Sequence, residues 1–338
     1  MRDTDLNFHN ILIIDFGQLG DIVLSLPALK AIRERFPDAR ITLLIGKPGA
    51  DIVRMACVSD EQILVDRIEL RDDNKLRSVG KIFKLVRQIR RLKFDFVIDL
   101  HSLSETNILG FVSGAKWRLY ANRENRSINS LGRFPTRPPL EDKAKHQAER
   151  FFDVLAPLGI KYAGSRFPLL APDGEVAEVR SFLSQHGIED KKLIGLFLGA
   201  GHPARIWSVE NFVELARRLS ADPRYQVLAL LGPEERHLRP GLSEKFGDAA
   251  IVVDEAPLSS FIAMMSVLTV LVTGDTGPMH LGAVTGVNLV LISEIGASSA
   301  FYPLTDKMVV LNHCAVADLE VESVERGVRR FLDNDKHD

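Results

Sequence analysis

Residues 273–282, Thr-Gly-Asp-Thr-Gly-Pro-Met-His-Leu-Gly, decide how this chain is read. They follow an apolar, β-branched run from Val267 to Val272 and lead into Ala283 and Val284, so the segment reads as strand, tight turn and helix start. Asp275 or Thr276 can cap that helix, Gly277 allows a sharp turn, and Pro278 suits the first helical turn. The free N–H groups of such a start, backed by the helix dipole, form a seat for phosphate oxygens. His280 falls on the first turn, close enough to add a side-chain donor. An ordinary βα turn has the same outline, so the weight of the motif rests on the remainder of the chain.

The same strand–turn–helix grammar recurs on both sides of it. The chain opens with the strand Ile11–Ile14, the loop Asp15-Phe-Gly-Gln-Leu-Gly20 and a helix from Asp21 to Phe36. A strand Ile41–Ile45, a helix Ala50–Ala56, a strand Gln62–Val65, a basic helix 81–93 and a strand Phe96–Asp99 follow. After a Gly- and Pro-rich pause at Gly159–Glu175 the pattern restarts, with strands at Leu193–Leu198, Gln226–Leu231, Ala250–Val253, Val267–Val272 and Leu289–Ile292. Helices are predicted at Val209–Leu219 and Val321–Leu332. Alternating strands and helices imply parallel sheets covered on both faces. The expected architecture is α/β, with two Rossmann-like doubly wound domains facing a central cleft. Residues 1–165 form the first domain, 175–320 the second, and 321–338 a closing helix and tail.

Composition agrees with an ordinary globular protein, at 46% hydrophobic and 26% charged residues over 338 positions. The polar start lacks the apolar core of a signal peptide, and no apolar run is long enough to span a membrane. Cys57 and Cys314 suggest neither a disulfide framework nor a zinc site. A cytoplasmic location is expected, with no nucleic-acid partner. The net charge of −2 hides a division: residues 1–170 carry 28 Lys and Arg against 21 Asp and Glu, and the second half reverses the sign. The basic excess is densest in 81–93, where Ile82, Leu85, Val86, Ile89 and Leu92 recur at helical spacing. Such a cationic face is either solvated or drawn to an anionic inner-membrane surface.

Phosphate-friendly residues gather on the strand ends of the second half. Gly199-Ala200-Gly201 permits close backbone approach, Arg205 is within reach of a diphosphate, and Glu235 can accept from ribose hydroxyls. In the first half Asp21 is the carboxylate of interest, as a helix N-cap, a general base, or both. The P-loop and Gly-x-Gly-x-x-Gly patterns do not follow any strand, and Asp72-Asp73 is poor support for a bound Mg²⁺.

Taken in order, these segments resemble the heptosyltransferase-type glycosyltransferases of family nine, from about Ile11 to Leu332. The resemblance is carried by Leu19-Gly-Asp-Ile-Val-Leu-Ser-Leu-Pro-Ala-Leu29, Pro37-Asp-Ala-Arg-Ile41, Phe94-Asp-Phe-Val-Ile-Asp-Leu-His101 and Asp275-Thr-Gly-Pro-Met-His-Leu281. It implies a GT-B fold and an inverting, metal- and cofactor-independent sugar transfer. The implied donor is ADP-heptose, and the implied acceptor a growing lipopolysaccharide core or a related lipid-linked glycan. It assigns Asp21 as general base and Arg205, Thr276 and Gly277 as diphosphate ligands. Ala200 and Gly201 belong to the phosphate loop, Glu235 (or Glu234) to the ribose and Ala256 to the adenine. Asp275 faces the sugar and His280 the diphosphate.

Three departures stand out. Asp15 and Glu105 occupy places where members carry cations, which predicts repulsion of an anionic acceptor, and Gly296-Ala-Ser298 replaces Gly-Pro-Thr. A nucleotide-sugar epimerase of the same fold, or a nucleotide-sugar-binding protein without transfer activity, are the competing readings.

Overall fold

Ile11 to Ile14 are fully buried at the centre of β1 (Asn10–Asp15), because helices cover both faces of the sheet to which the strand belongs. The computed structural model describes residues 7–66, 75–164, 166–200, 205–254 and 256–333. The chain divides between Phe167 and Pro168 into two compact units.

The first unit holds β1, β2 (Arg40–Gly46), β3 (Glu61–Val65), β4 (Phe96–Asp99) and β5 (Trp117–Tyr120). They form a parallel sheet in the order β3-β2-β1-β4-β5. Its helices are α1 (Leu19–Arg35), α2 (Ala50–Ala56), α3 (Lys75–Arg91), α4 (Ser104–Val112) and α5 (Gln147–Leu155). The order reverses between β1 and β4, the switch point at which open α/β sheets bind ligands beyond the strand C-termini.

The second unit is a six-stranded parallel sheet of order β11-β10-β9-β6-β7-β8. Its strands are β6 (Lys192–Phe197), β7 (Tyr225–Leu230), β8 (Ile251–Val253), β9 (Val270–Gly274), β10 (Asn288–Glu294) and β11 (Met308–His313). The helices are α6 (Asp173–Gln185), α7 (Val209–Ser220), α8 (Leu242–Phe246), α9 (Leu258–Val267), α10 (Gly277–Thr285) and α11 (Val321–Asp333). Val324, Val328 and Leu332 of α11 share one core with α7 and the sheet, so this helix is part of the second unit's interior. The switch point lies between β6 and β9.

Three local expectations change. The strand expected from Val267 begins at Val270, and Val267 is the last residue of α9. Leu268 N–H closes that helix on the Met265 carbonyl, and Thr269 N–H then bonds Leu193 O at the start of β6. Helix and strand lie in one largely apolar run from Phe261 to Val272, interrupted by Ser266 and Thr269 alone, which periodicity cannot divide. Helix α1 starts before Asp21, with Gln18 at the N-cap. On α3, Ile82 is 46% exposed, whereas Ile89 is buried and Leu85 and Leu92 pack on the first unit's core. The pair Asp72-Asp73 lies outside the described residues.

Candidate functional site

Four neighbouring strands of the second sheet, β9, β6, β7 and β8, end side by side. The predicted donor residues sit just beyond those ends: Asp275 to Gly277 after β9, Ala200 and Arg205 after β6, Glu235 after β7 and Ala256 after β8. A row that reads 275, 200, 235, 256 in space is scattered in sequence, and the sheet order alone assembles it. Gly201 belongs to the row by sequence but lies outside the described residues.

The β9 and β6 ends meet closely. A methyl group on Gly274 would lie 3.6 Å from the Gly199 carbonyl, 3.7 Å from Ala200 Cβ and 3.8 Å from Arg205 O. Arg205 Nη1 donates to Asp275 Oδ2 at 3.2 Å, with both side chains partly exposed. Helix α10 starts with Thr276 at its N-cap, in extended conformation, and Met279 N–H bonds the Thr276 carbonyl. Thr276 makes no side-chain capping bond, so of the two expected caps it holds the position through its backbone alone. Pro278 sits in the first turn as expected, and Gly286 ends the helix in the left-handed region. The nine-residue helix turns its positive end toward the space beyond β9 and β6, the arrangement that attracts phosphate. His280 on its first turn is buried.

Glu235 is buried where its neighbour Glu234 is exposed. Gly232 N–H donates to Glu235 Oε2 at 3.0 Å, and Glu235 N–H returns to Gly232 O. This reciprocal turn tethers the carboxylate over Gly199, where an added Cβ would collide with it. Burial raises the Glu235 carboxyl above its ordinary value, Glu234 adds to the rise, and the Gly232 N–H opposes it.

The first unit carries a second cluster at its own switch point. Asp21 lies in the first turn of α1, and its Oδ2 accepts from Gln18 N–H at 3.1 Å. It therefore caps the helix from inside rather than from the N-cap position. Asp15, expected to face an acceptor, is instead completely buried. Its Oδ2 accepts from Ser25 Oγ at 2.7 Å, and its Oδ1 accepts from Gly17 N–H at 3.2 Å and lies 2.8 Å from His101 Nδ1. Glu105 is exposed on the first turn of α4.

At the end of β4, Asp99 accepts from Ser102 N–H at 2.7 Å and Asn107 Nδ2 at 2.8 Å. Its bond to Ser102 closes a tight turn in which Ser102 adopts φ +46°. Burial pushes the Asp99 carboxyl up to about 6, against hydrogen bonds from Thr106, Ser102 and Asn107 and the charge of His101. The sequence assigns no site role to His101 or Asp99, and Asp15 enters it only as an acid expected beside the acceptor. The legible signal was Asp99-Leu-His101 at a strand end on the switch point.

The family model of glycosyltransferase family 9 (heptosyltransferase) matches residues 82–316, well over half of the chain. Lipopolysaccharide heptosyltransferase 2 of Escherichia coli K12 is 25% identical over 317 residues, covering 89% of this chain and 87% of that protein. The structure of a family 9 glycosyl transferase from Veillonella parvula DSM 2008 superposes with a TM-score of 0.84 at 23% identity, covering 98% and 99% of the two chains. E. coli heptosyltransferase WaaC, solved with ADP, gives 0.73 at 18% identity, covering 95% and 99%. The structural likeness establishes the GT-B fold, and with the family match the chain belongs to glycosyltransferase family 9, the heptosyltransferase family.

Proposed function

We propose that this glycosyltransferase is inverting and metal-independent, that it moves heptose from ADP-heptose to a lipopolysaccharide core or related cell-surface glycan, and that Asp21 is its general base. The observation that carries the donor half is the alignment of Asp275–Gly277, Ala200, Arg205, Glu235 and Ala256 along four adjacent strand ends. One end of this row offers a cation and a helix N-terminus, suited to a diphosphate. The other offers a buried carboxylate for ribose hydroxyls and a short loop for a base. The ADP bound to WaaC supports adenine as that base.

Asp21 takes the proton of the acceptor hydroxyl as that oxygen attacks the anomeric carbon. The bond from that carbon to the diphosphate breaks, through an oxocarbenium-like transition state. Charge accumulating on the departing diphosphate meets Arg205 and the start of α10, donors already in place before the reaction. The basic helix α3 fits attachment to the anionic inner face of a membrane, where a lipid-linked acceptor would be met. Among the described residues no helix is long and apolar enough to cross a membrane.

Calorimetric titration with ADP, GDP, UDP and ADP-heptose, with and without divalent metal, tests the donor. ADP-heptose binding more tightly than ADP, and both more tightly than GDP or UDP, without metal is the expected result. A preference for UDP or a strict metal requirement overturns the assignment. The base is tested by Asp21→Asn, which keeps an acceptor for Gln18 N–H while removing the proton acceptor. Turnover falls by about 10²–10⁴ with donor binding retained. Full turnover in that variant would assign the residue to capping alone.

A further inference from the structure

Three carboxylates, Asp15, Asp21 and Asp99, surround one imidazole at the switch point of the first sheet, and the electrostatics of that crowding require a cation. Like charges this close inside a protein oppose one another's ionisation, so without compensation a proton would settle among them. His101 is built to supply the compensation. Its Nδ1 lies on the fully buried Asp15, its carbonyl accepts from Arg123 Nη1 at 2.6 Å, and its ring meets Phe151 edge-on at 5.3 Å. The next residue, Ser102, is locked in the left-handed region by Asp99. A methyl group on Gly17 would stand 2.5 Å from Asp21 Cβ, 2.8 Å from His101 Cε1 and 3.1 Å from His101 Nε2. The imidazole edge opposite Asp15 and the side chain of Asp21 therefore roof the same point of the backbone.

We propose that His101, clamped by Asp15, is the positioning residue for Asp21: its imidazolium balances the buried Asp15 charge and leaves the Asp21 carboxylate available to take the acceptor proton. This deepens the transferase reading and rests on it for the role of Asp21. The charged groups facing His101 are Asp15 at the end of β1, Asp21 on α1, Asp99 at the end of β4, and Arg123, itself paired with Glu141 at 3.1 Å. Helix α5 contributes the uncharged Phe151. Burial by itself would lower the His101 titration. The charge and hydrogen bond of Asp15 and the charges of Asp21 and Asp99 together outweigh it and hold His101 above its ordinary range. Coupling between two sites is reciprocal, so a change of charge at Asp21 must register at His101. Asp15 thus delivers a cation to the opening loop.

The test is an NMR titration of ¹³C-histidine-labelled protein, with the His101 Cε1–H resonance assigned by its loss in His101→Gln. The wild-type midpoint should lie above the ordinary histidine value. Asp21→Asn should lower it, and Asp15→Asn should lower it further. A midpoint unmoved by Asp21→Asn overturns the proposal. This measurement needs neither donor nor acceptor, so it succeeds or fails independently of the transferase assignment. In turnover, His101→Gln should lose about tenfold in kcat with little change in acceptor KM, short of the loss expected for the base itself. The double variant Asp15→Asn/His101→Gln removes both charges and should recover part of that loss. A double variant no better than His101→Gln would assign the pair to folding alone and defeat the proposal.

Discussion

Arg205 reaches across the junction of β6 and β9 to pair with Asp275, Nη1 3.2 Å from Oδ2. Both side chains keep solvent contact, and an ion pair of that kind contributes only about 0–1 kcal/mol. A diphosphate presents more charge than one carboxylate and several oxygens in fork geometry, so Arg205 is poised to exchange partners when the nucleotide arrives. Arg205→Ala should weaken ADP binding by roughly 10–100-fold, the loss of one or two charge-assisted hydrogen bonds. Asp275→Asn should leave ADP binding unchanged or tighter while slowing transfer, because it frees the guanidinium but removes the carboxylate that the proposed donor site assigns to the sugar. Calorimetry on both variants decides it, and an equal loss of ADP affinity in the two would mean that the pair is only a structural clasp.

A similar economy of space governs Gly199. Its ideal Cβ position is already filled by the Glu235 carboxylate, and Phe197 Cε1 stands 2.7 Å away. Gly199→Ala therefore expels Glu235 from its seat, and the bond from Gly232 N–H goes with it. The variant should lose about 1–3 kcal/mol of stability, as for overpacking of a tight interior site. It should also bind the ribose-bearing ADP more weakly than wild type. Glu235→Ala in the same chain removes the larger clash while Phe197 must still give way, so the double variant should regain part of the melting temperature but none of the affinity. Recovery of both would remove Glu235 from the nucleotide site.

The two sheets were legible because their strands are short, continuous apolar runs separated by Gly- and Pro-bearing turns, as in Ile11–Ile14 and Leu193–Leu198. Helices α4, α5, α6 and α8 and the strands β5 and β11 lie outside the sequence expectation; β5, Trp117-Arg-Leu-Tyr120, alternates too briefly to stand out between polar loops. Helix α9 was hidden for the opposite reason, its apolar residues running straight on toward β9. Gly199–Gly201, Arg205, Glu235 and the Asp275–Gly277 turn are legible as polar or glycine-bearing loops after strands, whereas Ala256 and the individual ligand roles come only from the family resemblance. The His101 cluster is not legible in this way, because its meaning depends on burial. From sequence Asp15 is an acid standing where family members carry a cation, and only the fold reveals that it is interior and paired.

Asp99 makes a prediction about stability and pH. Its carboxyl titrates at about 6 in the folded protein against 3.8 for the ordinary group, so folding strengthens its hold on a proton. The contribution to stability is full below about pH 3.8, declines as pH rises, and is gone above about pH 6. Asp99→Asn should abolish that slope, visible as a pH-dependent difference in melting temperature between variant and wild type. It should not stabilise the protein at neutral pH. Both oxygens accept, from Ser102 N–H and Asn107 Nδ2, and Asn107 Oδ1 is committed to Ile128 N–H at 2.7 Å. The new amide thus faces a donor whichever way it turns, a cost of about 1–3 kcal/mol. A variant as stable as wild type with the slope intact would show that Asp99 is not the titrating group.

Helix α3 makes the last prediction. Val79 is 64% exposed and Phe83 65%, beside Ile82, on a helix whose sequence from Lys75 to Arg91 contains no acid. The exposed Ile108 and Phe111 of α4 add to the apolar surface of the same unit. A purely solvated basic face would leave these positions polar, since exposed Phe and Val gain nothing in water. Against an anionic bilayer each nearby Lys or Arg is worth about 1 kcal/mol, and insertion of Phe83 adds its own burial. The protein should float with vesicles rich in phosphatidylglycerol and not with phosphatidylcholine alone. Phe83→Glu should abolish flotation, and Lys84→Glu should weaken it in a salt-dependent way, with melting temperatures unchanged because both side chains are exposed. Flotation that is equal on neutral and anionic vesicles, or indifferent to both substitutions, would return α3 to the role of a solvated helix.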